Sequence, residues 1–284
     1  QSLVSHVNPS TFTPTEDPQF DVLTTAQVQD FQQLTGRIGA LWDRGAWAVG
    51  ASVAPPIRFF ATGSLTADFS ANVYFTGDED TDAIITAQAA TDSSVSLPLT
   101  LPAVVRLGGM VRRDSGLQVE LNVVWQGWSS VERLQLEDVD LEIETTAAEP
   151  SQVAEDVPLP IGMRDAWGVH LGSEYPLRPT ARIRGGVFAE TSAAAEGYAS
   201  VLLPDGPKLG YGLGGSIQPW PERGLWIDLG FGQGIVFRQS IETSRVTQIQ
   251  IDPLTGAVRE GLVVGRGDLG VLNTTASVAM SWTL

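Results

Sequence analysis

Apolar and polar residues alternate with a period of two along most of this chain. From Gly116 onward, Leu117, Val119, Leu121, Val123, Trp125 and Val131 share one parity, and Gln118, Glu120, Asn122, Gln126 and Glu132 occupy the other. That alternation predicts a strand with one apolar and one polar face. The same pattern predicts strands at Leu34–Trp42, Trp47–Phe59, Leu97–Val111, Trp167–Leu177, Ile183–Ala189, Leu209–Ile217, Leu225–Phe237 and Leu272–Leu284. These make nine strands with the first, and no segment carries the period of an amphipathic helix. Pro55-Pro56 interrupts one strand and predicts a bulge or a break in its ladder.

Strand length separates the two architectures that alternate in this way. Several of these strands run to about 15 residues, where a globular sheet averages about 5–6. The connections also alternate. Short turns lie at Asp43–Gly45, Arg113–Gly116, Pro176–Thr180 and Pro219–Gly224, and long loops rich in Asp, Glu, Ser, Thr and Pro lie at about 64–96, 132–164, 190–207 and 241–267. Long strands joined this way describe an all-β fold, a transmembrane antiparallel up-and-down β-barrel, rather than a soluble β-sandwich. In hydrocarbon only a closed barrel pairs every strand N–H and C=O. Trp42, Trp47, Tyr175, Trp220, Trp226 and Trp282 lie near the short turns, and Phe59, Phe60, Trp125 and Trp128 toward the other ends, as two interfacial girdles would.

Composition narrows the function. The 284 residues carry 17 Lys+Arg against 33 Asp+Glu, a formal net charge of −16, with Lys208 the single lysine and no cysteine. Thiol catalysis, thiolate metal sites and disulfides are excluded. The acidic balance speaks against nucleic acid as a partner, because phosphate binding needs clustered Lys and Arg. No apolar run is long enough for a transmembrane helix, and none reads as a signal peptide.

Direction can be counted from the turns. Short turns face the periplasm, so strand 34–44 runs inward, and nine alternating strands bring the C-terminus to the periplasm while leaving residue 33 outside. Residues 1–33 are therefore expected to be the remainder of an extracellular loop and residues 34–284 a single barrel domain. A tenth strand drawn from residues 2–11 is the competing arrangement. An even-stranded barrel starting in the periplasm would need further strands before Leu34, from the same polypeptide or from another chain.

Four segments stand out in order: Leu97-Pro98-Leu99-Thr100-Leu101-Pro102, the Val123–Val131 run with Trp125-Gln126-Gly127-Trp128-Ser129, Arg164-Asp165-Ala166-Trp167 continuing through Leu171-Gly172 to Tyr175, and Arg182-Ile183-Arg184-Gly185-Gly186-Val187. Together they resemble the long-chain fatty acid transporter (FadL-type) family of outer-membrane barrels. Their order is similar to that of the last nine strands of a barrel of about fourteen. The resemblance implies a bacterial outer-membrane conduit that passively takes up hydrophobic compounds such as long-chain fatty acids. Its partners would be outer-membrane lipid and lipopolysaccharide and a hydrophobic small molecule. The family's N-terminal hatch and first strands have no counterpart in this sequence, and Asn8-Pro9-Ser10 lies in the wrong context to replace the hatch motif. A structural or docking barrel holding other envelope proteins, and a porin for polar solutes, are the alternatives.

The polar parity supplies the candidate site. Arg37, Arg58, Arg106, Arg112, Arg182, Arg184 and Arg238, with Glu120, Glu132, Glu174, Glu190 and Asp228, are expected to line the lumen. They would fill it as a salt-bridge network. In the sharper reading some of Arg106, Arg182, Arg184, His170, Glu120 and Arg238 hold a ligand, the arginines gripping a carboxylate with a planar guanidinium. Only His6 and His170 exist, and no nucleophile elbow or ordered triad accompanies them, so no enzyme is expected. No cofactor is implied. Asp78-Glu79-Asp80-Thr81-Asp82 has the density of a calcium loop but lacks its glycine and terminal glutamate, and reads as a solvated loop. Glycines at 108–109, 185–186, 210, 212, 214–215, 230, 232 and 234 leave lumenal room for a plug or ligand.

Overall fold

A computed structural model of the chain describes residues 2–6, 21–30, 34–69, 73–74, 83–84, 94–131, 134–139, 141–143, 151–153, 156–159, 161–199, 204–251, 258–264 and 266–282. Nine strands form one antiparallel sheet. They are β1 Ile38–Asp43, β2 Trp47–Ala54, β3 Val104–Arg112, β4 Gln118–Gln126, β5 Ala166–Arg178, β6 Ala181–Glu190, β7 Lys208–Trp220, β8 Leu225–Ile241 and β9 Gly267–Trp282. Each pairs only with its neighbours in sequence, from β1 at one edge to β9 at the other. The up-and-down wiring read from the alternation is the wiring present. The helices among the described residues are two single-turn 3-10 helices, Trp128–Ser130 and Pro221–Arg223, and there is no α-helix among them.

One face of this sheet is apolar and open. Leu107, Val111, Leu171, Leu213, Leu229, Leu272, Val278 and Met280 are all exposed. In water such a continuous apolar surface would aggregate, whereas a barrel in lipid requires it. The buried side chains are small and lie mostly at the outer end, under the long loops: Val95, Val131, Val139, Ala166, Ala193, Ala194, Ala199 and Val246. The wall has no core of its own, since its apolar half faces lipid and its polar half the lumen.

Two of the expected strands are each split by proline. The 47–59 run breaks at Pro55-Pro56, where β2 ends, and resumes as Ile57–Phe69. The 97–111 run breaks at Pro102, between Ser94–Leu101 and β3. The breaks are at the same level, because Ala54 pairs Val104 on one side and Ile57 pairs Leu101 on the other. Beyond them lies a second sheet of Ser2–His6, Asp21–Gln29, Ile57–Phe69 and Ser94–Leu101, in that order. Ser2–His6 pairs Asp21–Gln29, apart from the nine-stranded sheet. The long connections hold further ladders, Leu134–Leu136 with Val157–Leu159, Leu141–Ile143 with Ser151–Val153, and Val246–Ile251 with Val258–Val264.

The short turns tighten by hydrogen bonds that their sequences supply. Gly45 N–H donates to Asp43 Oδ1 at 2.7 Å. Gly116 has φ +85° and lies against Pro176 of the neighbouring hairpin, so a side chain there would meet both backbone strain and the proline ring.

Candidate functional site

The polar parity of β3–β9 lines the concave side of the sheet, and the registers give its layout as cross-strand rows. One row reads Met110, Glu120, Gly172, Gly186, Gly212, Gly232, Thr275, and the next toward the short turns reads Arg112, Gln118, Glu174, Arg184, Gly214, Gly230, Ser277. Four successive glycines in the first row leave bare backbone. That floor belongs to a hollow of about 650 Å³ whose charged wall is Glu120, Glu174, Arg184 and Asp228.

Arg184 organises that wall. Its Nε donates to Glu174 Oε2 at 2.6 Å and its Nη1 to Asp228 Oδ1 at 2.9 Å. Ser216 Oγ also donates to Asp228. Arg182 lies 3.5 Å from Glu174 Oε1, and its guanidinium stacks 4.7 Å from the Trp226 ring. Two arginines, two carboxylates, a hydroxyl and an indole thus form one neutral cluster near the short-turn end. Trp226 belongs to this inner cluster and not to the girdle in which its position near a turn placed it. The remaining five aromatics of that girdle, Trp42, Trp47, Tyr175, Trp220 and Trp282, are exposed.

A second hollow of about 400 Å³ lies at the β1–β4 side, lined by Leu41, Gly50, Ser52, Arg106, Gly108, Met110, Glu120 and Asn122. Asn122 Nδ2 donates to Glu120 Oε1 at 2.7 Å. Arg106 Nη1 is enclosed and has no hydrogen-bond partner among the described residues. An enclosed guanidinium N–H without a partner is a costly group that an acceptor would satisfy, and Arg106 is one of the residues lining the hollow.

His170 stands in a third group, toward the outer end. Its ring stacks on Phe188 at 5.6 Å, and Nε2 lies 3.3 Å from Glu190 Oε1 without the alignment of a hydrogen bond. Lys208 Nζ follows at 3.8 Å from Glu190 Oε2 and 2.7 Å from Asp205 Oδ1. Burial alone would raise the Asp205 carboxyl, but the Lys208 ammonium and the Ala194 and Ala193 N–H groups outweigh it, and the carboxyl is held below its ordinary value. Asp205 lies in a loop that the alternation left featureless, although Asp205-Gly206-Pro207 is a turn sequence in its own right.

The candidate residues therefore do not form one site. Arg182 and Arg184 share a cluster, Glu120 borders both hollows, Arg106 faces the second, and His170 sits apart. Arg238 leaves the group altogether. It falls in an irregular stretch of the β8–β9 register between Val236 and Gln239, is exposed, and pairs with Asp268 near the outer end. Trp125 and Trp128, expected in the outer girdle, are half-buried at the outer end of β4, and both indole N–H groups are paired. Trp125 Nε1 donates to Asp165 Oδ2 at 3.1 Å and Trp128 Nε1 to Gln126 Oε1 at 3.0 Å. Ser129, by its hydroxyl first and its N–H next, holds the Asp165 carboxyl below the ordinary range against desolvation, with Trp125 adding to the effect. Among the described residues no group of three His, Asp or Glu converges on a point that could hold a metal ion. The run Asp78–Asp82 and Glu132 lie outside the described residues.

Comparison with known proteins adds to this geometry. The sequence profile of a family described as "Outer membrane protein transport protein (OMPP1/FadL/TodX)" matches residues 29–264. No curated protein matches the sequence. Among solved structures, a Pseudomonas aeruginosa FadL homologue superposes with a TM-score of 0.64 at 18% identity, covering 94% of this chain and 55% of that one. The Ralstonia pickettii toluene transporter TbuX gives 0.53 at 16%, covering 92% and 51%. The CymD monoaromatic hydrocarbon channel gives 0.54 at 15%, covering 94% and 57%. At these identities the likeness is one of fold, and the chain spans about half the length of the structures it matches.

Proposed function

The chain belongs to the OMPP1/FadL/TodX family of bacterial outer-membrane transport proteins, and from that premise we propose that it forms wall and lumen of a passive conduit for hydrophobic small molecules. The observation that carries this reading is the inner face, where bare glycine backbone floors a hollow with charge confined to its border. An apolar molecule slides over such a floor without having to displace side chains. A bulk-water pore for ions would instead expose charge along its whole length.

The finer reading concerns the ligand. Arg106, with one guanidinium N–H unpaired and with Leu41 and Met110 lining the same hollow, suits a molecule with an apolar body and an anionic end, such as a long-chain fatty acid. A purely apolar aromatic is the second reading, favoured by the structural likeness to the toluene transporter and the monoaromatic hydrocarbon channel. A docking barrel for other envelope proteins is the third. Cells producing the protein separate these, through uptake of radiolabelled oleate and toluene measured against cells lacking it. Faster uptake of oleate alone supports the fatty-acid reading, and faster uptake of toluene alone the aromatic one. No gain for either compound, with stoichiometric copurification of envelope proteins, would overturn transport.

A further inference from the structure

Charge is distributed very unevenly between the two ends of the wall. The four long loops hold 21 of the 33 acidic residues and 5 of the 17 basic ones, so the whole formal net charge of −16 resides there. The short-turn end is built differently. Each of its four turns carries one exposed arginine: Arg44, Arg113, Arg178 and Arg223. None of the four makes an ion pair among the described residues. Asp43, next to Arg44, is already engaged, because Arg112 Nη1 donates to both of its oxygens at 2.9 Å. Asp114 and Glu222 are the other acidic residues of these turns, and both are exposed.

The arginines are placed at the level of the exposed aromatics. Arg44 lies 5.1 Å over the Trp42 ring, and Trp42 meets Trp47 edge to face at 5.0 Å. Tyr175 precedes Arg178 by three residues on β5, and Trp220 precedes Arg223 by three. Exposed Trp and Tyr beside an apolar band mark the boundary between acyl chains and headgroups. A guanidinium just beyond that boundary stands at the depth of the lipid phosphates, whose geometry its fork matches in a bidentate pair. Successive turns are two strands apart, roughly 10 Å from strand spacing, so each can engage a headgroup of its own.

We propose that Arg44, Arg113, Arg178 and Arg223 form a row of phosphodiester-binding positions for glycerophospholipids of the periplasmic leaflet, with the Trp42–Arg44–Trp47 cluster as its best-built member. The row fixes the depth of the wall in the membrane. It also sets four exposed guanidinium groups at one end of the sheet, opposite the acidic loops at the other.

The test holds the full chain in dodecyl maltoside micelles, which contain no phosphate, and titrates short-chain phosphatidylglycerol while native mass spectrometry counts bound lipid. The fourfold variant Arg44→Gln, Arg113→Gln, Arg178→Gln, Arg223→Gln is expected to bind more weakly by about fivefold for each arginine removed. The single Arg44→Gln and Arg113→Gln variants, each altered on an exposed turn, should show the graded loss even where the fourfold variant fails to assemble. Arg→Lys at the four positions should recover part of the affinity, as charge without the fork would. Unchanged lipid retention in the single variants would overturn the proposal. So would displacement of the lipid by an equal concentration of inorganic phosphate, which would make the row a simple anion site. Loss of a copurifying periplasmic protein with lipid retention intact would make it a protein-docking surface and would equally overturn the assignment.

Discussion

Arg184 reaches Asp228 across an intervening strand. Arg184 is on β6 and Asp228 on β8, and the residue of β7 directly opposite Arg184 is Gly214, which has no side chain to block the path. The guanidinium therefore passes over bare backbone and ties three strands together, with Glu174 of β5 on its other side. A Cβ at Gly214 would already lie 3.1 Å from the Leu229 carbonyl oxygen. Gly214→Leu should therefore break the Arg184–Asp228 bond while leaving Arg184–Glu174 intact. Because these groups are partly exposed to the lumen, Arg184→Met should cost only about 1 kcal/mol. The loss should shrink in high salt. Urea unfolding from lipid vesicles at two salt concentrations checks both expectations.

The lipid face carries a polar pair that satisfies itself. Tyr211 Oη donates to Gln233 Oε1 at 2.9 Å, and Gln233 Nε2 reaches Thr274 Oγ1 at 3.4 Å. In hydrocarbon an amide stripped of a partner is costly. Tyr211→Phe alone should destabilise by about 1–2 kcal/mol, and the double variant Tyr211→Phe, Gln233→Leu should be close to neutral. Equilibrium unfolding of the single and double variants gives the coupling directly, and strict additivity would contradict this account.

Asp205 should make the adjoining loop sensitive to acid. Its folded pKa is depressed, so its contribution is complete above the ordinary carboxylate value and is lost as pH falls through the lower folded value. It accepts from Ala194 N–H at 3.0 Å and Ser192 Oγ at 3.2 Å, which holds residues 192–194 against Lys208. Protection of the Ala193 and Ala194 amides, each rate taken relative to the intrinsic rate at that pH, should fall on acidification below the ordinary carboxylate range. Asp205→Asn should give fast exchange already at neutral pH.

Arg106 provides a ligand test independent of stability. Arg106→Gln should weaken retention of a carboxylate-bearing ligand about tenfold, in line with loss of one charge-assisted hydrogen bond of about 1.5 kcal/mol. Retention of toluene should be unchanged. Equilibrium dialysis of the purified protein with each compound reads the difference, and equal effects on both would remove Arg106 from ligand recognition.

The wall was legible in the sequence because lipid and lumen impose opposite demands on alternate residues, and no tertiary packing blurs the period. Leu225, Ile227, Leu229 and Phe231 could hardly be read otherwise. Legibility failed where that two-sided constraint ends. The ladders at 134–136 and 141–143 stand beyond the wall and carry no long alternation to mark them. Arg238 was read by parity alone, and the irregular register beside it carries the side chain out of the row. Trp226 shows the opposite error, since its nearness to a turn suggested the girdle although its parity with Asp228 already pointed inward. Pro102 belongs to a sequence motif, but its effect on the ladder depends on Pro55 and Pro56 across the pair, a coincidence visible only once the register is known.

Those three prolines divide one long strand pair into two independent zippers. A mispaired outer half, offset by two residues, could not transmit its offset through a level that offers too few N–H groups to carry it. The wall can therefore find its register from the short turns upward while the outer sheet is still sorting its partners. For a chain that must assemble at a membrane surface, the gap serves as a firebreak against errors spreading from the part that faces the outside.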